Sequence, residues 1–318
     1  MENNPDKIPP ELSNGDRAND DPQHAIVRIC VVRECDHRPE GGDMVKVLYA
    51  LLLSSLFLLP NSVLAEDRTY TFAVVPQQAI TELAKNWIPF LALLSERSGV
   101  KLKFVTAPDI PTFEKRLGQR AYDIAYMNPY HYTVFHKISG YKAIAKEKGR
   151  KLTGILVARK DSPFANIKDL NGQTLAFPSP AAFAASILPR AALRKEGIVF
   201  KVKFVASHES VYIDVAQGMY PAGGGIRRTL ELMDDATKKE LHVIWTTPGY
   251  TPHAIACLLR LPHKVERKLQ EAMLSLNGDP AGQSALKAIG FKGIELAQDR
   301  DWNDVRQLKI TELDGKPE

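Results

Sequence analysis

Several short stretches of this chain set polar side chains beside turn-forming neighbours, which places chemistry at the rim of a fold. Gln77 follows Pro76 after an apolar run. An amide both donates and accepts, so Gln77 suits either a polar solute or a solvated turn. Tyr126, Asn128 and Tyr130 surround Pro129. Asn-Pro is a helix start, with Asn as the cap and Pro in the first position. Asn128 is therefore a cap or a contact, and Tyr126 a core ring or a hydroxyl donor. Tyr130, in the first turn, is expected to aim its hydroxyl at a solute. Ser179 and Phe183 open a second helical stretch, whose N-terminal N–H groups and partial positive charge favour an anion. Phe183 either stacks on the solute or fills core. Ser207 and His208 precede a third helix. Either one can cap it, and an uncommitted imidazole offers an N–H. Tyr212 lies one turn beyond His208 and shares its face. Ala222-Gly223-Gly224-Gly225 reads as a strand-to-helix turn before a helix over 226–233. There Gly224 belongs either to a nest of N–H groups or to a tight turn. His253, after Pro248-Gly249-Tyr250-Thr251-Pro252, reaches a solute or braces the chain.

These groups bind better than they react. There is no Gly-x-Ser-x-Gly elbow and no His-Glu-x-x-His pair. Cys257 lies inside an apolar run, which predicts a buried, inert thiol. No catalytic activity, cofactor or metal is expected.

The elements that must position these residues alternate between two periods. Tyr70 to Val75, Val100 to Val105 and Ala121 to Met127 read as strands. Helical spacing runs over Ile80 to Ser98, Ile110 to Leu117 and Tyr130 to Ile138, each stopped by glycine. The rhythm restarts with strands at Leu152 to Arg159, Leu175 to Phe177 and Val202 to Val205. Helices are expected at Ala181 to Lys195 and Ser210 to Ala216. Further strands at Val243 to Thr246 and Ala254 to Leu259 precede helices at Lys264 to Leu276 and Ala281 to Ala288. This alternation predicts an α/β fold of two lobes, with mainly parallel sheets, helices on both faces and two crossing strands. Lobe 1 is placed at 66–152 with 246–318, and lobe 2 at 153–245.

The chain begins with a different kind of sequence. Residues 44–65 pair Lys46 with the apolar run Val47 to Leu59, a Pro60 break and a Val63-Leu64-Ala65 ending. These are the three regions of a cleavable signal peptide. As a helix the run reaches roughly 20 Å, short of a ~30 Å hydrocarbon core. Residues 1–43, rich in Asp, Asn, Pro and Glu, read as a disordered or untranslated extension ahead of a start at Met44. Cys30 and Cys35, with His24 and His37, lack the spacing of a zinc site. Downstream of the signal only Cys257 remains, so no internal disulfide can form there. A net charge of +5 spread without a basic run argues against a nucleic-acid surface. The expectation is an exported, periplasmic monomer.

Several motifs in order resemble one known family. Lys160-Asp161-Ser162-Pro163 and Ile167 to Phe177, with Asp169-Leu170-Asn171-Gly172, are similar to the lobe entry of the phosphate/phosphite/phosphonate-binding periplasmic proteins. Ala121 to Tyr130 is similar to that family's segment around Asp-Ile-Ala-Tyr, and Val205 to Ser210 to its His-containing loop. The resemblance implies a type II periplasmic-binding fold with a small-molecule ligand between the lobes. It also implies delivery to an ABC permease or, as the alternative, signalling to a membrane histidine kinase. The chain departs from the family at two places. Ser179 to Ser186 carries methyl groups and a ring where hydroxyls are usual, and glycines 223–225 stand where an acid is usual. Both departures argue against an aminoalkylphosphonate.

Overall fold

The computed structural model describes residues 68–313. The expected extension at 1–43, the signal peptide at 44–65, and Cys30, Cys35, His24 and His37 lie outside them. The chain runs β1 (Tyr70–Val74), α1 (Ile80–Ser98), β2 (Leu102–Val105), α2 (Ile110–Gly118), β3 (Ile124–Met127), α3 (Pro129–Ser139) and β4 (Tyr141–Glu147). It continues through β5 (Gly154–Arg159), β6 (Thr174–Phe177), α4 (Leu188–Lys195), β7 (Lys201–Phe204), α5 (His208–Ala216), β8 (Ala222–Ile226), α6 (Arg227–Glu231), α7 (Asp235–Glu240) and β9 (Leu241–Thr246). It closes with β10 (Ala254–Leu258), α8 (His263–Ser275), α9 (Pro280–Ala288), β11 (Ile294–Leu296) and α10 (Asn303–Arg306).

Two sheets result: a six-stranded one ordered β11-β4-β10-β3-β1-β2, and a five-stranded one ordered β7-β6-β8-β5-β9. The expectation of mainly parallel sheets holds for β1 with β2 and β3, and for β6 with β7 and β8. It needs correcting elsewhere. β10 and β5 follow the crossings between sheets and enter against their neighbours, so each pairs antiparallel on both sides. At the crossings Leu152 and Tyr250 exchange two main-chain hydrogen bonds, at 2.7 and 2.9 Å.

Strand periodicity distributes the core of the second lobe. On β5, Ile155 and Val157 pack with Val211, Tyr212 and Val215 of α5. The alternate residues Leu156 and Ala158 pack with Leu193 of α4 on the opposite face. The first lobe is knit by Trp87, whose ring lies 5.9 Å from Phe72, 5.5 Å from Phe90 and 4.8 Å from Tyr126. Cys257 is buried in β10 and its thiol is pushed up to about 12 by burial, an inert group as expected. No helix among the described residues is long and apolar enough to cross a membrane.

The expected helix over Ala181 to Lys195 opens with a wide π stretch, Phe183–Ile187. Its carbonyls press directly onto two strands. A Cβ at Gly154 would sit 1.8 Å from Ala184 O, and one at Gly224 would sit 2.0 Å from Ala185 O. The glycine run is therefore a central strand, β8, and not a turn or a nest. Glycine is required there because backbone occupies the side-chain position.

Candidate functional site

The N-terminal end of α5 is closed from the other lobe. The Gln77 carbonyl accepts from His208 N at 3.0 Å and Glu209 N at 3.3 Å, two of the N–H groups that a helix start leaves unpaired. The Glu209 carboxylate accepts from Ala79 N in return. Asn128 bridges the lobes in the same way. Its Oδ1 accepts from His131 N at 2.7 Å as the cap of α3, while its Nδ2 donates to Ala181 O at 3.2 Å. Cap and contact, alternatives in the sequence, are one residue's two ends.

Between these bridges lies a small cavity. Gln77, Asn128 and His253 from the first lobe meet His208 from the second, flanked by Phe183 and the chain of Ala182, Ala184 and Ala185. The space is about that of one water molecule. No ionised side chain lines it. Burial, reinforced by Arg228, holds His208 at about 3, and the same two causes hold His253 well below the usual imidazole range. Both rings are neutral at pH 7.

Charge stands just behind the lining. Arg228 NH1 donates to Glu147 Oε2 at 3.2 Å, an ion pair that joins α6 to β4 and is buried at both ends. The guanidinium also lies 5.6 Å from the Tyr126 ring centroid, and its NH2 reaches His253 Nδ1 at 3.4 Å. Tyr126 stacks on His253 with centroids 4.9 Å apart. A second pocket, sharing Leu152 and Ile226 with the cavity, is bordered by Arg150, Lys151, Arg227 and Arg228 against the single carboxylate of Glu147. Carboxylates beyond the lining pair with this rim too: Arg150 with Glu231 and Lys151 with Asp304.

Five expected residues thus meet at one cavity: Gln77, Asn128, Phe183, His208 and His253. Tyr126 supports it through His253. The others need correction. The Tyr130 hydroxyl accepts from Leu313 N at 2.8 Å and borders a separate surface groove with Thr133 and Arg306, because α3 turns that face away from the crossing. Ser207 caps α5 by accepting from Ser210 N at 3.0 Å. The Tyr212 hydroxyl accepts from Ile226 N at 2.9 Å and contacts Thr229 Oγ1, so it serves the wall behind His208. Gly224 is packed strand, as above. Ser179 is buried outside the lining, and its hydroxyl has no hydrogen-bond partner among the described residues. Sequence reasoning missed Glu147 and the role of Arg228. Nothing local distinguishes them from surface charges; only their meeting across the lobes does.

The family model for the periplasmic substrate-binding protein of ABC phosphonate transporters matches residues 72–302. A phosphonates-binding periplasmic protein of Escherichia coli (strain K12) is 21% identical over 293 residues, spanning 83% of this chain and 84% of the relative. Among solved structures, a binding protein component of an ABC phosphonate transporter from Pseudomonas aeruginosa superposes with a TM-score of 0.71 at 18% identity, covering 77% of this chain and 86% of that one. PhnD1 from Prochlorococcus marinus (MIT 9301), solved with methylphosphonate, gives 0.68 at 17%, covering 76% and 97%. The chain belongs to this family of periplasmic substrate-binding proteins, and its fold is the two-lobed type II one.

Proposed function

We propose that this member of the family captures a compact phosphorus oxyanion, of the phosphate, phosphite or methylphosphonate kind, and delivers it to an ABC permease. The observation that carries the reading is the small cavity between the lobes, where Gln77, Asn128, His208 and His253 converge beside the start of the helical stretch at 183–195. Neutral donors and helix-end N–H groups suit an anion without fixing a large charge. The methyl-lined second-lobe wall suits a small apolar substituent. Glycines 223–225 supply no carboxylate for an ammonium, which disfavours aminoalkyl ligands. A cavity of one water's size has to widen by hinge opening at 148–153 and 247–253 before a solute enters.

The family and its curated relative are transport components, which supports import over signalling to a kinase. We further propose that residues 44–65 are cleaved on export, that the mature protein is a monomer, and that the lobes are 66–152 with 246–318 and 153–245. The test is a thermal-shift series with phosphate, phosphite, methylphosphonate, sulfate and small organic acids. A phosphorus oxyanion at a hundred times its Kd is expected to add about 2.7 kcal/mol to stability. A melting point raised only by a cationic or large apolar compound would overturn the reading.

A further inference from the structure

We propose that Arg228 is a positioning residue for solute recognition: through His253 it turns the Gln77 amide so that both of its N–H donors face the cavity. The proposal rests on the reading of that cavity as the solute site. Arg228 is the one group here whose protons are certain. A guanidinium only donates. Arg228 NH2 lies 3.4 Å from His253 Nδ1, so Nδ1 is the acceptor there. Burial and the same guanidinium keep the imidazole neutral, so its single proton sits on Nε2. His253 Nε2 in turn lies 3.0 Å from the Gln77 amide, whose nitrogen is set toward the ring. Two N–H groups cannot face each other, and amide O and N are interchangeable by a half-turn, so the proposed arrangement turns the amide over and places Oε1 there to accept from Nε2–H. The NH2 end is left to the cavity that Gln77 lines.

The geometry holds this orientation from both sides. Arg228 is fixed by Glu147 at 3.2 Å and by the faces of Tyr126 and Phe291, each 5.6 Å away. The Gln77 main chain is held by His208 and Glu209. With the proton on Nε2, the imidazole sets the rotation of the amide plane. A solute oxygen facing Gln77 therefore meets donors alone. An ionised oxygen fits; a protonated hydroxyl, which brings its own donor, fits poorly.

The first test is long-range 1H–15N NMR of the His253 ring in the full chain at neutral pH, with no solute added. A proton on Nε2 is expected; a proton on Nδ1, or on both nitrogens, would overturn the proposal. The second test compares methylphosphonate affinity in the wild type and in the double variant Arg228→Met with Glu147→Gln, which leaves no unpaired buried charge. The variant is expected to show mixed His253 tautomers and about tenfold weaker binding; unchanged affinity overturns the role. If that variant does not fold, Gln77→Glu replaces it: the carboxylate still accepts from Nε2–H but donates nothing. Retained His253 tautomer with lost methylphosphonate binding supports the proposal, and retained binding overturns it. A wild type with the Nε2 proton that binds no phosphorus oxyanion overturns the solute reading alone.

Discussion

The two lobes meet the cavity with different materials. The first brings side-chain ends: the Gln77 amide, the Asn128 amide and the His253 imidazole. The second brings mostly main chain and methyl groups, Ala182 to Ala185 with Phe183, and a single imidazole, His208. Each wall is braced by its own means. Side-chain groups are oriented by hydrogen bonds, as Arg228 orients His253. The main-chain wall is oriented by packing, with the carbonyls of the π stretch pressed onto Gly154 and Gly224. A wall made of side chains changes readily by substitution. A wall made of backbone is specified by the residues beneath it, which must stay small.

The contrast can be broken from either side. The largest expected effect comes from pH, because each wall contributes one neutral, buried imidazole. His208 is held at about 3 against an ordinary value near 6.5. The unfolded chain takes up a proton below about pH 6.5 while the folded one does not, so the stabilisation is complete above that pH and is lost as pH falls toward 3. By pH 4.5 His208 alone accounts for a loss of about 2–3 kcal/mol. His253 shifts in the same direction for the same causes and adds to the loss. Urea unfolding from pH 7 to 4.5 reads the slope, and His208→Asn is expected to flatten it.

The next effect concerns the backbone wall. Gly224→Ala puts a methyl group into Ala185 O and the Phe177 ring, 2.0 and 2.6 Å away. Destabilisation of about 3 kcal/mol is expected, at the upper end for overpacking. Chemical denaturation measures it, and a loss below half a kcal/mol would mean that the wall can retreat. The smallest effect belongs to the side-chain wall. Asn128→Ala removes the cap of α3 and the bridge to Ala181, and about 1 kcal/mol of stability is expected to go. Solute affinity is expected to fall as well, because Asn128 lines the cavity.

Much of the frame was legible beforehand. Alternating strand and helix periods located β1, α1, β3 and α5, and glycines marked helix ends such as Gly99 and Gly140, both left-handed caps. Three strands were not legible. β8 reads Ala-Gly-Gly-Gly-Ile, a composition that disfavours strands by itself. β4 carries Lys142 and Lys146, charges that fit a strand only because Glu266 and Asp301 receive them at 2.7 Å from distant segments. β11 spans only Ile294–Leu296, too short to show a period.

The sequence by itself determined the alternation of elements, the family and several of the helix caps, because these depend on neighbours within a few positions. It left the cap of α5 open between Ser207 and His208, and the structure gives that role to Ser207. The tertiary structure decided which polar groups share a cavity, why three glycines stand in one strand, and which carboxylate neutralises Arg228. Those facts depend on contacts between residues such as Glu147 and Arg228, far apart in the chain and brought together by the fold. Tyr130 and His253 show the division plainly. Tyr130 was expected to face a solute and His253 was left between solute and brace, but Tyr130 borders an outer groove and the chain crossing brings His253 inside.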